Sequence, residues 1–341
     1  MNYELIGITV LWTFLYGYLI VASIDFGAGF FSYYTKQTKK DHLIHNIIQR
    51  YLSPVWEVTN VFLIFFIIGI VGFFPSTAYY YGSALLVPGS ISIILLAIRG
   101  SYYAFATYGA KESKLYSFLY GATGLLIPAS LSTVLTISEG GYVSTESGRV
   151  QLLYGELFGS PYSWGVVILA IVSVLFISAS FLTYYASRAK DAQALKLLRK
   201  YALIWAFPAI SMGVIVFFLL GQRNAMHFEN MVDIWWAFGL SFVAFLWATY
   251  LIWKGKNYGT AFILVMIQYF TAFFGYGAAH LPYLLYPYLT IYDGFTNETM
   301  AISLIAAFIA GLLLLIPSLY LLMKLFLFDA DYVEGKKPKA L

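Results

Sequence analysis

The chain has 341 residues, of which 61% are hydrophobic, 20% aromatic and only 11% charged, with a mean hydropathy of +0.77. Such values exclude a soluble domain of this length and define an all-α, polytopic membrane protein. The net charge of +4 leaves no nucleic-acid footprint, and the absence of cysteine excludes disulfides, thiolate metal sites and iron–sulfur clusters.

A transmembrane helix needs about 20 apolar residues to cross ~30 Å of hydrocarbon at 1.5 Å per residue. Nine runs meet this requirement, at roughly 4–33, 47–74, 78–108, 115–138, 163–187, 201–221, 232–253, 258–282 and 300–328. The start Met1-Asn2-Tyr3-Glu4 lacks the basic region of a signal peptide, so the first run is expected to stay as a helix. The whole of 1–341 is expected to form one transmembrane domain. Spans 1–4 and 5–8 are expected to make two four-helix bundles, within 1–138 and 163–282, with the last helix, 300–328, peripheral. Pro88, Pro128, Pro208 and Pro317 fall inside spans and are expected to kink them.

Orientation follows from the basic residues. Lys36, Lys39, Lys40 and Arg50 follow span 1, and Lys111 and Lys114 follow span 3. The connection after span 5 holds Arg188, Lys190, Lys196, Arg199 and Lys200, that after span 7 holds Lys254 and Lys256, and the tail holds Lys324, Lys336, Lys337 and Lys339. With Arg99 at the inner end of span 3, 18 of the 20 Lys and Arg lie on one side, and only Arg149 and Arg223 lie opposite. The N-terminus is therefore expected outside and the C-terminus in the cytoplasm. Tyr79-Tyr80-Tyr81, Tyr33-Tyr34 and Tyr283, Tyr286 and Tyr288 suit interfacial aromatic belts.

Two carboxylates stand where the membrane tolerates them least. Asp25 lies in Ile24-Asp25-Phe26-Gly27-Ala28-Gly29 of span 1, and Glu57 in Trp56-Glu57-Val58-Thr59-Asn60 of span 2. Both fall about 12–15 Å from the inner surface, counted at 1.5 Å per residue. A charge near the bilayer centre costs at least ~2.5–3.5 kcal/mol on insertion scales, so each requires a partner or a task. One reading makes both carboxyls protonated structural groups that bond Thr59, Asn60 or a backbone carbonyl. The favoured one makes them a proton-conducting pair, because desolvation brings a carboxyl toward the range where it exchanges protons. Gly27 and Gly29 predict close approach of a neighbouring helix. Asn60 shares a helix face with Glu57, and Trp56 is large enough to wall off a cofactor in a partner. Arg99 reads as a snorkelling anchor in preference to a buried counter-ion.

Histidine is scarce. His42 and His45 lie in the first inner connection and His227 in an outer one, and only His280 lies near a membrane edge. Bis-histidine haem ligation is unsupported, and a His/Met pair with Met212 or Met266 would need a coincidence of depth. The chain alone is expected to bind neither haem nor metal.

Taken together, Asp25-Phe26-Gly27-Ala28-Gly29, the stretch Ser53 to Phe62 with its Trp56-Glu57 pair and Asn60, the segment Arg99 to Phe105, and the run Phe274 to Asp293 resemble subunit II of the cytochrome bd-type quinol oxidases, including their cyanide-insensitive relatives. The likeness spans nearly the whole chain. It implies a haem-free subunit of the bacterial cytoplasmic membrane, paired with a subunit I that holds haem b and haem d. The complex would oxidise quinol and reduce dioxygen to water, building proton-motive force without a pump. The resemblance implies that Glu57 passes protons from the cytoplasm toward subunit I and that Asp25 is a second candidate for that path. Trp56, Asn60 and Arg99 would support it or face the partner. Phe62 stands where some members carry Trp, and His280 takes no inherited role. A small single-span subunit, membrane lipids and quinone are further partners. The competing readings are a proton-coupled secondary transporter, which the lack of paired broken helices disfavours, and a purely structural membrane partner.

Overall fold

A computed structural model describes residues 2–107, 114–145 and 148–324, with the side chains of 49–58, 104–107 and 322–323 outside the described set. Its helices are α1 (Tyr3–Gln37), α2 (Asp41–Phe73), α3 (Ser76–Ala84), α4 (Leu86–Thr107), α5 (Lys114–Leu131), α6 (Thr133–Ser138), α7 (Tyr154–Gly159), α8 (Pro161–Arg188), α9 (Ala192–Arg223), α10 (Ala225–Asp233), α11 (Trp235–Lys254), α12 (Tyr258–His280) and α13 (Glu298–Met323). Two small antiparallel hairpins complete the described part. Strand β1 (Val143–Ser144) pairs with β2 (Gln151–Leu152), and β3 (Tyr283–Leu285) with β4 (Leu289–Thr290). Both sit in the long connections 139–162 and 283–299.

Side-chain caps set several helix starts. The side chains of Asn2, Ser160, Asp191 and Asn297 accept from backbone N–H groups in the first turns of α1, α8, α9 and α13. Pro161 opens α8, where its missing N–H costs nothing. Gly255, at φ +74°, closes α11 in the left-handed conformation that a β-carbon disfavours. Among the described residues, eight helices are long and apolar enough to cross a membrane, and α2 contributes the apolar stretch Thr59–Phe73.

The third expected span, 78–108, is not continuous. It breaks at Leu85 into α3 and α4, and Pro88 falls in the first turn of α4 instead of kinking a helix interior. The Pro88 carbonyl is taken up by the hydroxyls of Ser92 and Ser130, at 3.0 and 2.8 Å, which ties α4 to α5. Pro128 lies within α5, three residues before that helix ends, and the chain resumes as α6 after Ser132.

The core sits where α1 meets its neighbours. Helix α1 packs on α2, α5 and α8, α4 packs on α5, α8 on α9, and α11 on α12, while α13 touches α1 and α2. Glycine makes the central crossings possible. A β-carbon at Gly27 would come within 2.3 Å of Ser178 Cβ on α8, and one at Gly124 within 2.2 Å of the Phe26 carbonyl on α1. Ser178 also donates to the Ile24 carbonyl at 2.8 Å, a hydrogen bond between helices of the kind small-residue membrane interfaces use. At one end of the α1–α2 contact, Phe14 stacks on Phe65 at 4.9 Å and meets Phe62 and Phe308 edge-on or tilted.

Candidate functional site

Asp25 is 1% exposed and Arg99 is fully buried. The Arg99 Nε donates to Asp25 Oδ2 at 2.9 Å, and its Nη2 donates to the Asp25 backbone carbonyl at 2.7 Å. Its Nη1 donates to the Tyr120 carbonyl at 3.0 Å and to Thr123 Oγ1 at 3.2 Å. The Tyr103 hydroxyl donates to Asp25 Oδ1 and lies 3.3 Å from the Tyr120 hydroxyl. The guanidinium also lies over the Tyr120 ring, 4.4 Å from its centroid. One ion pair thereby joins α1, α4 and α5. Gly29 is required for it, because a β-carbon there would meet Arg99 Nη1 at 2.9 Å and the Tyr120 carbonyl at 2.8 Å.

Arg99 is thus a buried counter-ion. The expected snorkelling anchor is corrected: the stem does not reach an interface but is enclosed between Asp25 and aromatic rings. Asp25 finds its charge partner on α4, a pairing that sequence position alone did not select.

Trp56 and Glu57 lie on the helical backbone of α2, but their side chains lie outside the described residues, and Asn60 is half-buried on the same helix. The α1–α2 contacts fix the register all the same. A β-carbon at Gly7 would touch Phe73, one at Gly17 would touch Phe62, and one at Gly69 would touch Leu11. Continued along the antiparallel pair, this register places the Glu57 backbone within about one turn, or ~5 Å, of the level of Asp25.

A second buried carboxylate escaped the sequence reading. Glu139, just past α6, is 1% exposed, and His227 on α10 is fully buried. His227 Nδ1 lies 2.9 Å from both Glu139 carboxylate oxygens, and its Nε2 lies 3.0 Å from the Tyr276 carbonyl. Asn224 Nδ2 donates to Glu139 Oε2 at 2.9 Å, and the Tyr276 hydroxyl donates to Oε1. His280, at the end of α12, brings its Nδ1 to 3.3 Å from His227 Nδ1 and 3.6 Å from Glu139 Oε1. Burial alone pushes the Glu139 carboxyl upward. The His227 hydrogen bond, the nearby His280 and His227 charges and the Tyr276 hydroxyl outweigh it and hold the group below the usual carboxylate range. Glu139 and His227 read as ordinary outer-loop residues in sequence, and only the scarcity of histidine pointed toward them.

Long apolar helices around internally neutralised charges define a multi-pass membrane protein. The profile of the family described as cytochrome bd terminal oxidase subunit II matches residues 3–326. A Bacillus subtilis (strain 168) protein described as "Putative cytochrome bd menaquinol oxidase subunit II" is 34% identical over 344 residues, covering 98% of both chains. A chain in the solved structure of the bd oxidase from Geobacillus thermodenitrificans is 62% identical with a TM-score of 0.84, over 96% of this chain and 100% of that one. The chain belongs to the cytochrome bd terminal oxidase subunit II family. It is therefore a subunit of a quinol-oxidising oxidoreductase complex, a partner of subunit I and a multi-pass protein of the bacterial cytoplasmic membrane. This membership takes the place of the transporter alternative.

Proposed function

We propose that this subunit, itself haem-free, conducts protons from the cytoplasmic side toward an oxygen-reducing centre in subunit I, with Glu57 as the exchanging carboxyl. In this reading haem b and haem d reside in subunit I. The N-terminus faces outside, and the complex reduces dioxygen to water with protons drawn from inside while quinol protons leave outside. A proton-motive force then arises without a pump. Quinone, surrounding lipid and a small single-span subunit complete the assembly.

The observation that supports this is the Asp25–Arg99 pair at the level of Glu57. Arg99 holds Asp25 inside the fold, and removing one member of a buried pair costs about 3–5 kcal/mol. In this reading Asp25, held by Arg99 and Tyr103, braces the path, and Glu57, on the adjoining helix, is the group that exchanges.

The test is Glu57→Gln in the assembled complex, which keeps size and hydrogen bonding but removes the titratable proton. Oxygen-reductase turnover is expected to fall at least ten-fold, a barrier increase of about 1.4 kcal/mol, with the haem spectrum unchanged. Full turnover in an intact complex would remove Glu57 from the path. Expressed without subunit I, the chain is expected to show no Soret band, and a stoichiometric haem there would place the cofactor wrongly.

A further inference from the structure

We propose that Glu139, His227 and His280 bind one divalent transition-metal cation, zinc foremost, which clamps together the end of α6, the start of α10 and the end of α12. One ligand atom from each residue converges on a common point, with all three atoms within 4.8 Å of one another. The separations are 2.9 Å (Glu139 Oε1 to His227 Nδ1), 3.3 Å (His227 Nδ1 to His280 Nδ1) and 3.6 Å (His280 Nδ1 to Glu139 Oε1). Bonds of 2.0–2.1 Å to a tetrahedral zinc set ligand atoms about 3.3 Å apart, so the triangle has the dimensions of one tetrahedral face. Two imidazoles and a carboxylate, with no thiolate, are a donor set that suits zinc.

The hydrogen bonds around the triangle favour a cation over a network of protons. His227 Nε2 faces the Tyr276 carbonyl, which can only accept, so that nitrogen carries a proton. In the neutral ring this leaves the Nδ1 lone pair aimed at both carboxylate oxygens and at His280 Nδ1, an arrangement that repels unless something positive lies between. A proton on His227 Nδ1 answers Glu139 and has His280 Nδ1 only at 3.3 Å, while His280 Nε2, buried with no hydrogen-bond partner, lies outside the triangle in either arrangement. A metal ion meets all three atoms at once. The outer partners also match those of a metal site. The Tyr276 carbonyl takes the His227 N–H, Asn224 and the Tyr276 hydroxyl hold the carboxylate, and Asn224 Oδ1 also accepts from the His227 backbone N–H at 3.2 Å. The nearby Arg223 is committed to the Gly140 carbonyl at 2.8 and 3.1 Å and stacks over Tyr142, so its charge is satisfied away from the triangle.

The experiment uses the assembled oxidase, purified in metal-scrubbed buffer after incubation with zinc, with zinc measured by mass spectrometry against haem. About one zinc per copy of this chain is expected in the wild type. At least a ~10-fold loss is expected in His280→Gln and in Glu139→Gln. If those variants fail to assemble, anomalous difference density at the zinc edge in wild-type crystals decides the matter by its position. Density at the Glu139, His227 and His280 triangle supports the site. Density elsewhere, or wild-type complex without zinc after incubation, overturns it and leaves a proton-linked cluster in its place.

Discussion

Asp25 and Glu139 are both about 1% exposed, yet the protein neutralises them by different chemistry. Asp25, within the membrane-spanning part of α1, faces a guanidinium that holds its charge at any physiological pH, and that cation is itself clamped by two backbone carbonyls, a threonine and an aromatic face. Glu139, beyond the end of a span, faces two imidazoles whose nitrogens change state with a proton or a metal. A permanent counter-charge makes a brace, whereas an exchangeable one makes a site. The proposed function draws the same distinction between Asp25, held by Arg99, and Glu57 as the exchanging carboxyl.

The comparison breaks most directly at Arg99. Arg99→Met leaves Asp25 buried and uncompensated and is expected to cost about 3–5 kcal/mol, seen as loss of assembled, haem-containing complex. Adding Asp25→Asn to that variant is expected to restore part of the yield, since the stranded charge is gone. Wild-type yield from Arg99→Met alone would mean that the pair is no brace. Tyr103→Phe removes one donor to the same carboxylate and is expected to lower stability by about 1.5–3 kcal/mol, read as a fall in the melting temperature of the complex.

Tyr276→Phe makes the matching deletion at Glu139 and sharpens the contrast. Glu139 keeps Asn224 and His227 as partners, so the expected loss is about 1 kcal/mol, smaller than at Tyr103. Equal losses would show that the two carboxylates are held alike. Orientation is checked by thiol labelling of intact cells: Glu156→Cys is expected to react with an impermeant reagent and Ala192→Cys is not. Reversed labelling would invert the side from which protons are drawn.

How far the sequence disclosed this molecule depended on the kind of signal. The helical, membrane-spanning type was legible because twenty-residue apolar runs have few other solutions in a bilayer, and Gly27 announced a close helix crossing through the absence of a side chain. The break at Leu85 was not legible, because tyrosines and apolar residues on both sides of it suit a span equally well and Pro88 reads either as a kink or as a helix start. The partner of Asp25 was hidden for another reason. Arg99 stands 74 positions away, and an arginine near a span end has the same local sequence whether it snorkels or turns inward. The Glu139 cluster draws on the end of α6, the start of α10 and the end of α12, a juxtaposition that only tertiary packing creates.

Proton uptake resolved in time tests the central assignment most directly. In vesicles that hold the complex with its cytoplasmic face accessible, uptake during a single turnover is expected to slow about ten-fold or more in Glu57→Gln while the haem spectrum stays that of the wild type. Uptake at the wild-type rate in such an intact complex would contradict the account.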